Sequence, residues 1–340
     1  MENRHYYDQM TRDEKSAYEA MLSGFEELSP SIRVPLLGGK ALGDVFFRLR
    51  LDNPMIFYVS GCSFRFAAGA SYAQLLPEYM FDRQRIPEQK RAVEARVEKL
   101  LRPAQSLDEA GRERFVHDFI CGNVRYDKLK KPYSHEIIGP LQNGVGVCEG
   151  IAKTVKLLCE RLDIPCLIAV SEANPDVPNG YLHAWNVVRV GGKDYHLDAT
   201  FDNTLSRCGV ARYDYYNLDD AHIFRDHRPL LYPVPACRDG DAFYYRKAGL
   251  SWTKPEDVEK RTAQALRKKK DSLLFHWRGG YLTREVLQEL LTAAETAAGK
   301  QGKGIACGVN WGQSVILLRF TDAPVRGEIR TEQIDEEEEI

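Results

Sequence analysis

Apolar residues recur at helical spacing from early in the chain. Tyr18, Met21, Leu22 and Phe25 line one face of a segment over 11–28, which the capping-box pair Thr11 and Glu14 opens. Leu42, Val45, Phe46 and Leu49 predict a second helix over 40–51, stopped by Asp52, Asn53 and Pro54. Residues 55–60 and 62–67 predict a strand pair joined near Gly61, and 87–101 a highly charged helix. A second capping box, Ser106 to Glu109, predicts a helix running through Phe115, Phe119 and Ile120. Ile151, Val155, Leu158 and Leu162 predict a further helix that Pro165 ends. Residues 183–190 and 194–200 are rich in β-formers, and Gly191-Gly192 between them is a two-residue hairpin signal. Farther on, 272–277 and 314–320 predict strands and 283–298 a helix.

These elements divide the chain into an N-terminal α/β extension over 1–105, a central core over 106–240 and a small C-terminal α/β region over 241–330. An acidic tail over 331–340 is expected to be disordered. A chain of 340 residues with 44% hydrophobic and 28% charged side chains is an ordinary globular one. The net charge of −2 argues against nucleic-acid and anionic-membrane partners, and no apolar run is long enough for a bilayer span. The polar N-terminus reads as no secretory signal. The eight cysteines show no paired spacing typical of zinc, so reduced thiols in the cytoplasm and no metal are expected.

Chemistry concentrates in the core. Cys148 sits in the run Gly144-Val145-Gly146-Val147-Cys148-Glu149-Gly150, one turn before Ile151 and therefore at a helix N-terminus. The unsatisfied N–H groups and dipole there favour thiolate over thiol. Gly144 and Gly146 are expected to leave the approach to the thiol uncrowded, and Gly150 to keep bulk off the first turn. The ordinary fate of a cysteine is the core, which suits Cys121, Cys159 and Cys166 better. With a two-residue turn, Val190 faces Lys193, Trp185 faces Asp198 and His183 faces Thr200, so His183, Trp185 and Asp198 share one side of the hairpin. His183 can then take the thiol proton while Asp198 orients the ring. Trp185 is expected to shield their hydrogen bond. His196 is the rival base, and Gln142 is a candidate oxyanion donor beside the Cys148 N–H.

At these residues the sequence resembles the transglutaminase-like superfamily within the papain-like cysteine-enzyme fold. The matching segments are 146–152 around Cys148, 183–186 (His-Ala-Trp-Asn) and 195–202 around Asp198, preceded by the stretch 123–127 that carries Tyr126. The resemblance covers about 107–235 and looks bacterial in type. It implies an α+β fold, with a nucleophile helix packed on an antiparallel sheet, and Cys148, His183 and Asp198 as catalytic residues. Phe201 departs from the tryptophan common in the family, and no acidic loop implies a calcium site. The expected function is a cysteine-dependent amide-bond enzyme, a peptidase, amidase or protein-glutamine transferase acting on a peptide or protein without a cofactor. Hydrolysis is the default. The alternative is a non-catalytic peptide-binding or scaffold protein on the same fold; oligomeric state is left open.

Overall fold

The computed structural model describes residues 4–172, 183–322 and the backbone of 329–331. Apart from the Thr331 backbone, the tail expected over 331–340 lies outside the described residues. The chain forms two units, Met1–Asn203 with Pro229–Ala236, and Thr204–Arg228 with Cys237–Ile340. The architecture is mixed α/β with antiparallel sheets. Among the described residues, no helix is long and apolar enough to cross a membrane.

The first unit opens with α1 (His5–Asp8) and α2 (Arg12–Glu26). Thr11 Oγ1 accepts from the Glu14 N–H and Glu14 Oε2 accepts from the Thr11 N–H at 2.8 Å, so the capping box closes in both directions. After β1 (Ile32–Pro35) and α3 (Gly39–Asp52) the expected strand pair gives way to another arrangement. Pro54, with its fixed φ, opens a 3-10 turn over Pro54–Ile56. A single strand, β2 (Val59–Arg65), bulges between Val59 and Gly61 and pairs with β3 (Tyr72–Tyr79), which the pattern did not reveal. The sheet order is β1-β3-β2. α4 (Ile86–Leu101) buries Ile86, Val93, Val97 and Leu101 and turns its charges outward.

α5 (Glu109–Asn123) starts two residues later than the sequence box implied. Asp108, not Ser106, is the N-cap and accepts from the Gly111 N–H at 2.8 Å. Two short strands, β4 (Arg125–Tyr126) and β5 (Val145–Gly146), then pair in parallel and lead into α6 (Cys148–Glu160). α6 packs on β6 (Cys166–Val170) and β7 (Ala184–Val190), which continue antiparallel to β8 (Lys193–Leu197). α7 (Ala199–Ser206) follows at once.

The second unit holds β9 (Tyr216–Leu218), α8 (Asp220–Ile223), α9 (Tyr244–Lys247), β10 (Ser251–Trp252), α10 (Pro255–Arg267), β11 (Ser272–Trp277), α11 (Arg284–Gly299), β12 (Gly304–Asn310), β13 (Val315–Thr321) and β14 (Ile329–Thr331). Its five-stranded sheet runs β10-β11-β13-β12-β14. α10 and α11 pack on one another and on that sheet, burying Trp252, Phe275, Leu287, Leu290, Val309 and Ile316. A fully buried carboxylate, Asp214, receives Arg212 at 3.0 and 2.6 Å, Tyr245 Oη at 2.8 Å and Asn310 Nδ2 at 2.9 Å. A buried ion needs such complete satisfaction to persist.

Candidate active site

Cys148 is the first residue of α6. The N-cap, Val147, is extended and carries no side-chain oxygen to occupy the first-turn N–H groups. The first intrahelical bond runs from the Ile151 N–H to the Val147 carbonyl at 2.9 Å. The amides of Cys148, Glu149 and Gly150 therefore precede the helical ladder and form the positive end of a helix of 13 residues. The chain reaches this point through a tight lead-in. Asp127 accepts from the Leu129 and Lys131 N–H groups, both at 3.1 Å, and from the Ser134 hydroxyl. These bonds outweigh burial and hold its carboxyl below the usual range. The Ser134 carbonyl then accepts from the Val147 N–H at 3.0 Å. It lies so near Gly150 that an added Cβ would stand 2.1 Å from it, so only glycine fits that first turn.

His183 stands just ahead of β7, its backbone tied to Ser171 by N–H to Oγ and by carbonyl to N–H, both at 2.9 Å. Gly191 and Gly192 have φ of 60° and 76°, as a two-residue hairpin turn requires, and the register is Val190 to Lys193 through Asn186 to Leu197. One further step sets Trp185 opposite Asp198. The second strand ends at Leu197, just before Asp198 and short of the expected 194–200. Asp198 Oδ1 accepts from the Thr200 N–H at 2.8 Å and the Phe201 N–H at 3.0 Å, so the carboxylate caps α7 instead of continuing the ladder. Its other oxygen, Oδ2, lies 2.5 Å from His183 Nε2. Three acceptor bonds make Asp198 an acceptor only, so Nε2 donates and the neutral ring carries its lone pair on Nδ1. Trp185 stacks on the His183 ring at 5.7 Å between centroids and Phe201 lies at 4.7 Å, enclosing the pair in apolar surface.

Cys148 is 4% exposed and belongs to one apolar cluster with Ala152, Val170 and Ala184, the residue following His183. Tyr6 and Leu51 from the N-terminal elements join the same cluster. Asn186 adds a polar tie: its Nδ2 donates to the Ala152 carbonyl at 2.9 Å, so the strand that follows His183 grips α6 directly. The motif His-Ala-Trp-Asn contained this residue, but nothing in it disclosed the helix contact.

The other sequence candidates fare differently. Tyr126 is half-buried and registers with Gly146 across the β4–β5 pair. Gly146 does not open a path for substrate: a Cβ there would meet Pro140 at 2.9 Å and Ile151 at 3.1 Å, so internal packing explains the glycine. Gln142 is exposed on a π-helical turn, and its amide makes no hydrogen bond among the described residues. The rival base, His196, is committed elsewhere, its Nδ1 accepting from Trp185 Nε1 at 3.0 Å. A second Cys-His-Asp grouping also exists. Cys121 Sγ lies 3.6 Å from His117 Nε2, and that same nitrogen lies 3.0 Å from Asp202. Burial pushes the Cys121 thiol up, overriding the nearby His117.

Charge around the first turn of α6 was not legible from the motifs. Lys153, fully buried, lies 2.8 Å from Glu136 and 2.8 Å from Glu149. Arg50 of α3 pairs with Glu136 and lies 3.4 Å from Glu149, while His135 Nδ1 lies 3.3 Å from Glu149. Burial alone would raise the Glu149 carboxyl. Lys153, the His135 hydrogen bond and Arg50 overcome it and hold that carboxyl far below its ordinary range.

Residues 97–199 match the model of the transglutaminase-like superfamily, so this part of the chain is similar to a transglutaminase-like core. Among solved structures it is similar to a TGase, 13% identical over 42% of this chain and 44% of that one, with a TM-score of 0.28. A candidate cysteine protease from Cytophaga hutchinsonii is 15% identical over 41% and 61%, TM-score 0.26. A candidate protease from Parabacteroides distasonis is 14% identical over 41% and 36%, TM-score 0.26. The chain thus spans less than two thirds of the length of these structures. No curated protein sequence matches it significantly.

Proposed function

We propose that the chain is a cysteine-dependent amide-bond enzyme working through a thioester on Cys148. The observation that carries this reading is the His183–Asp198 pair at 2.5 Å, oriented so that Nδ1 is the ring's acceptor nitrogen. In the reaction, Nδ1 takes the Cys148 proton and the sulfur attacks a peptide or glutamine carbonyl. The first-turn N–H groups of α6 receive the developing oxyanion. The imidazolium, stabilised by Asp198, returns the proton to the departing amine or ammonia as the C–N bond breaks. Water, deprotonated by the same nitrogen, then attacks the thioester, and the acid leaves as the thiol is restored. These steps balance without a cofactor. Hydrolysis is the default outcome, and an amine in place of water gives transamidation.

The test is mass spectrometry of a peptide pool incubated with the full chain, with and without methylamine. Chain cleavage marks a peptidase, conversion of glutamine to glutamate an amidase, and methylamine incorporation a transferase. Each activity must vanish in Cys148→Ser and His183→Ala. No turnover, together with Cys148 alkylation that follows an ordinary thiol across pH, would instead support a peptide-binding or scaffold role.

A further inference from the structure

Acyl transfer needs a thiol, a base and an orienting acid; it does not need four further ions beside the nucleophile. Glu149 is the immediate neighbour of Cys148 and sits in the first helical turn. A carboxylate there opposes thiolate formation, since like charges disfavour one another at short range. Two basic side chains answer it. Lys153 Nζ lies 2.8 Å away and Arg50 Nη2 3.4 Å away, while a second carboxylate, Glu136, shares both cations. Charge is therefore balanced, two against two, with His135 at the rim, where its side chain is 39% exposed. An apolar cluster would serve packing equally well.

The remaining ionisable groups around Cys148 come from the other elements packed there. The residue before β7 and the residue after β8 are His183 and Asp198, already paired to one another. α3 brings Asp52, which accepts from the Tyr6 and Tyr7 N–H groups at 3.1 and 3.0 Å. The phenols of Tyr6, within the same cluster, and Tyr232, packed against it, donate to the Ile168 carbonyl and to Asp44.

We propose that Arg50 and Lys153 are positioning residues that neutralise Glu149 and so set the reactivity of the Cys148 thiol. This rests on the reading of Cys148 as the nucleophile. It also gives α3, far from the core in sequence, a part in the site.

The experiment measures iodoacetamide alkylation of Cys148 in the full chain across pH, located by peptide mapping. Arg50→Met and Lys153→Met each leave one carboxylate unbalanced, and the alkylation profile should move to higher pH by about one unit. Glu149→Gln should move it to lower pH by a similar amount. The pair Lys153→Met with Glu149→Gln restores neutrality and should return the profile to within about 0.3 units of wild type. That return is the readout a merely structural role would not produce. Singles that overlay wild type, or a double variant that stays shifted, would overturn the proposal. Lys153→Met removes a fully buried ion, so should it fail to fold, Arg50→Met, Glu149→Gln and their combination carry the same test, since those side chains are 15% and 21% exposed. A wild-type profile like that of a free thiol would instead count against the nucleophile reading, and the displacement between variants would still be measurable.

Discussion

Asp198→Asn is the most discriminating single change. Two backbone N–H groups, from Thr200 and Phe201, point at Oδ1 at 2.8 and 3.0 Å, and only an oxygen can accept them. An asparagine must therefore keep its oxygen there and turn its NH2 toward His183 Nε2. That nitrogen becomes an acceptor, the ring hydrogen moves to Nδ1, and Nδ1 can no longer take the thiol proton. Reversing the amide would set NH2 against two N–H donors, at about 1–3 kcal/mol for each lost bond, so the wrong tautomer is locked in. The equivalent change in a Ser-His-Asp triad lowers kcat by about 10⁴, close to 5.5 kcal/mol in the barrier. Asparagine caps a helix about as well as aspartate, so stability should change by less than about 1.5 kcal/mol. Alkylation of Cys148 at pH 6, beside a urea melt of the same protein, reads both quantities. Wild-type alkylation rates in a folded Asp198→Asn variant would refute the tautomer argument.

Other positions give independent tests. Gly150→Ala should destabilise by about 1–3 kcal/mol, although helical alanine normally gains about 1 over glycine. The added Cβ would meet backbone atoms of Ser134 and Glu136 at 2.1–3.2 Å, and a raised urea midpoint would contradict that contact. His117 is held well above the usual histidine range: burial opposes this, but Cys121 and the carboxylates Asp118 and Asp202 prevail. Its stabilisation is full below the unfolded value of about 6.5 and is lost as pH rises through the folded value. Urea midpoints should fall with rising pH in that window, and His117→Gln should lack the slope. His276 is lowered to about 3 by burial first, then by Arg246, His222 and Arg225. The unfolded chain protonates before the fold does, so stability should drop as pH falls from about 6.5 toward 3, less so in His276→Asn. Finally, at pH 6.5 iodoacetamide should label Cys148 well before Cys121, although Cys121 is the less buried. The opposite order would mean that exposure alone governs reactivity.

What the sequence disclosed was local. The Thr11–Glu14 box, the Gly191-Gly192 turn and the apolar rows of α6 each involve residues a few positions apart, so pattern sufficed. The hairpin register followed because both turn residues need positive φ, which glycine supplies without strain. The end of the second strand was misread because Thr200 and Phe201 are good β-formers. Only the N–H groups facing Asp198 reveal that a cap has displaced the ladder. β12 was missed for the converse reason: Gly304, Ala306 and Gly308 are weak strand formers that pairing with β13 carries along. The Arg50–Glu136 pair joins positions 86 apart in the chain, and no periodicity encodes such a contact.

The two Cys-His-Asp groupings show why composition and proximity do not define a relay. Both place an imidazole against a buried carboxylate and a thiol nearby in sequence or space. In one, Asp202 and Cys121 converge on the same ring nitrogen, His117 Nε2. A hydrogen given to the carboxylate is then unavailable to the sulfur, and the nitrogen that donates cannot also accept the thiol proton. Asp118 occupies the other nitrogen, Nδ1, at 3.3 Å, so the ring is favoured as a cation clamped between two acids. That is a device for joining α5 to α7, not for moving a proton. At His183 the carboxylate engages Nε2 alone and leaves the accepting lone pair on Nδ1. The thiol differs as well: Cys121 lies within α5, where the preceding turn satisfies its backbone, whereas Cys148 opens α6, where the dipole and unladdered N–H groups favour negative charge on sulfur and oxygen alike. The division of labour between the two ring nitrogens, with a helix start at the sulfur, is what the acyl chemistry proposed for Cys148 rests on.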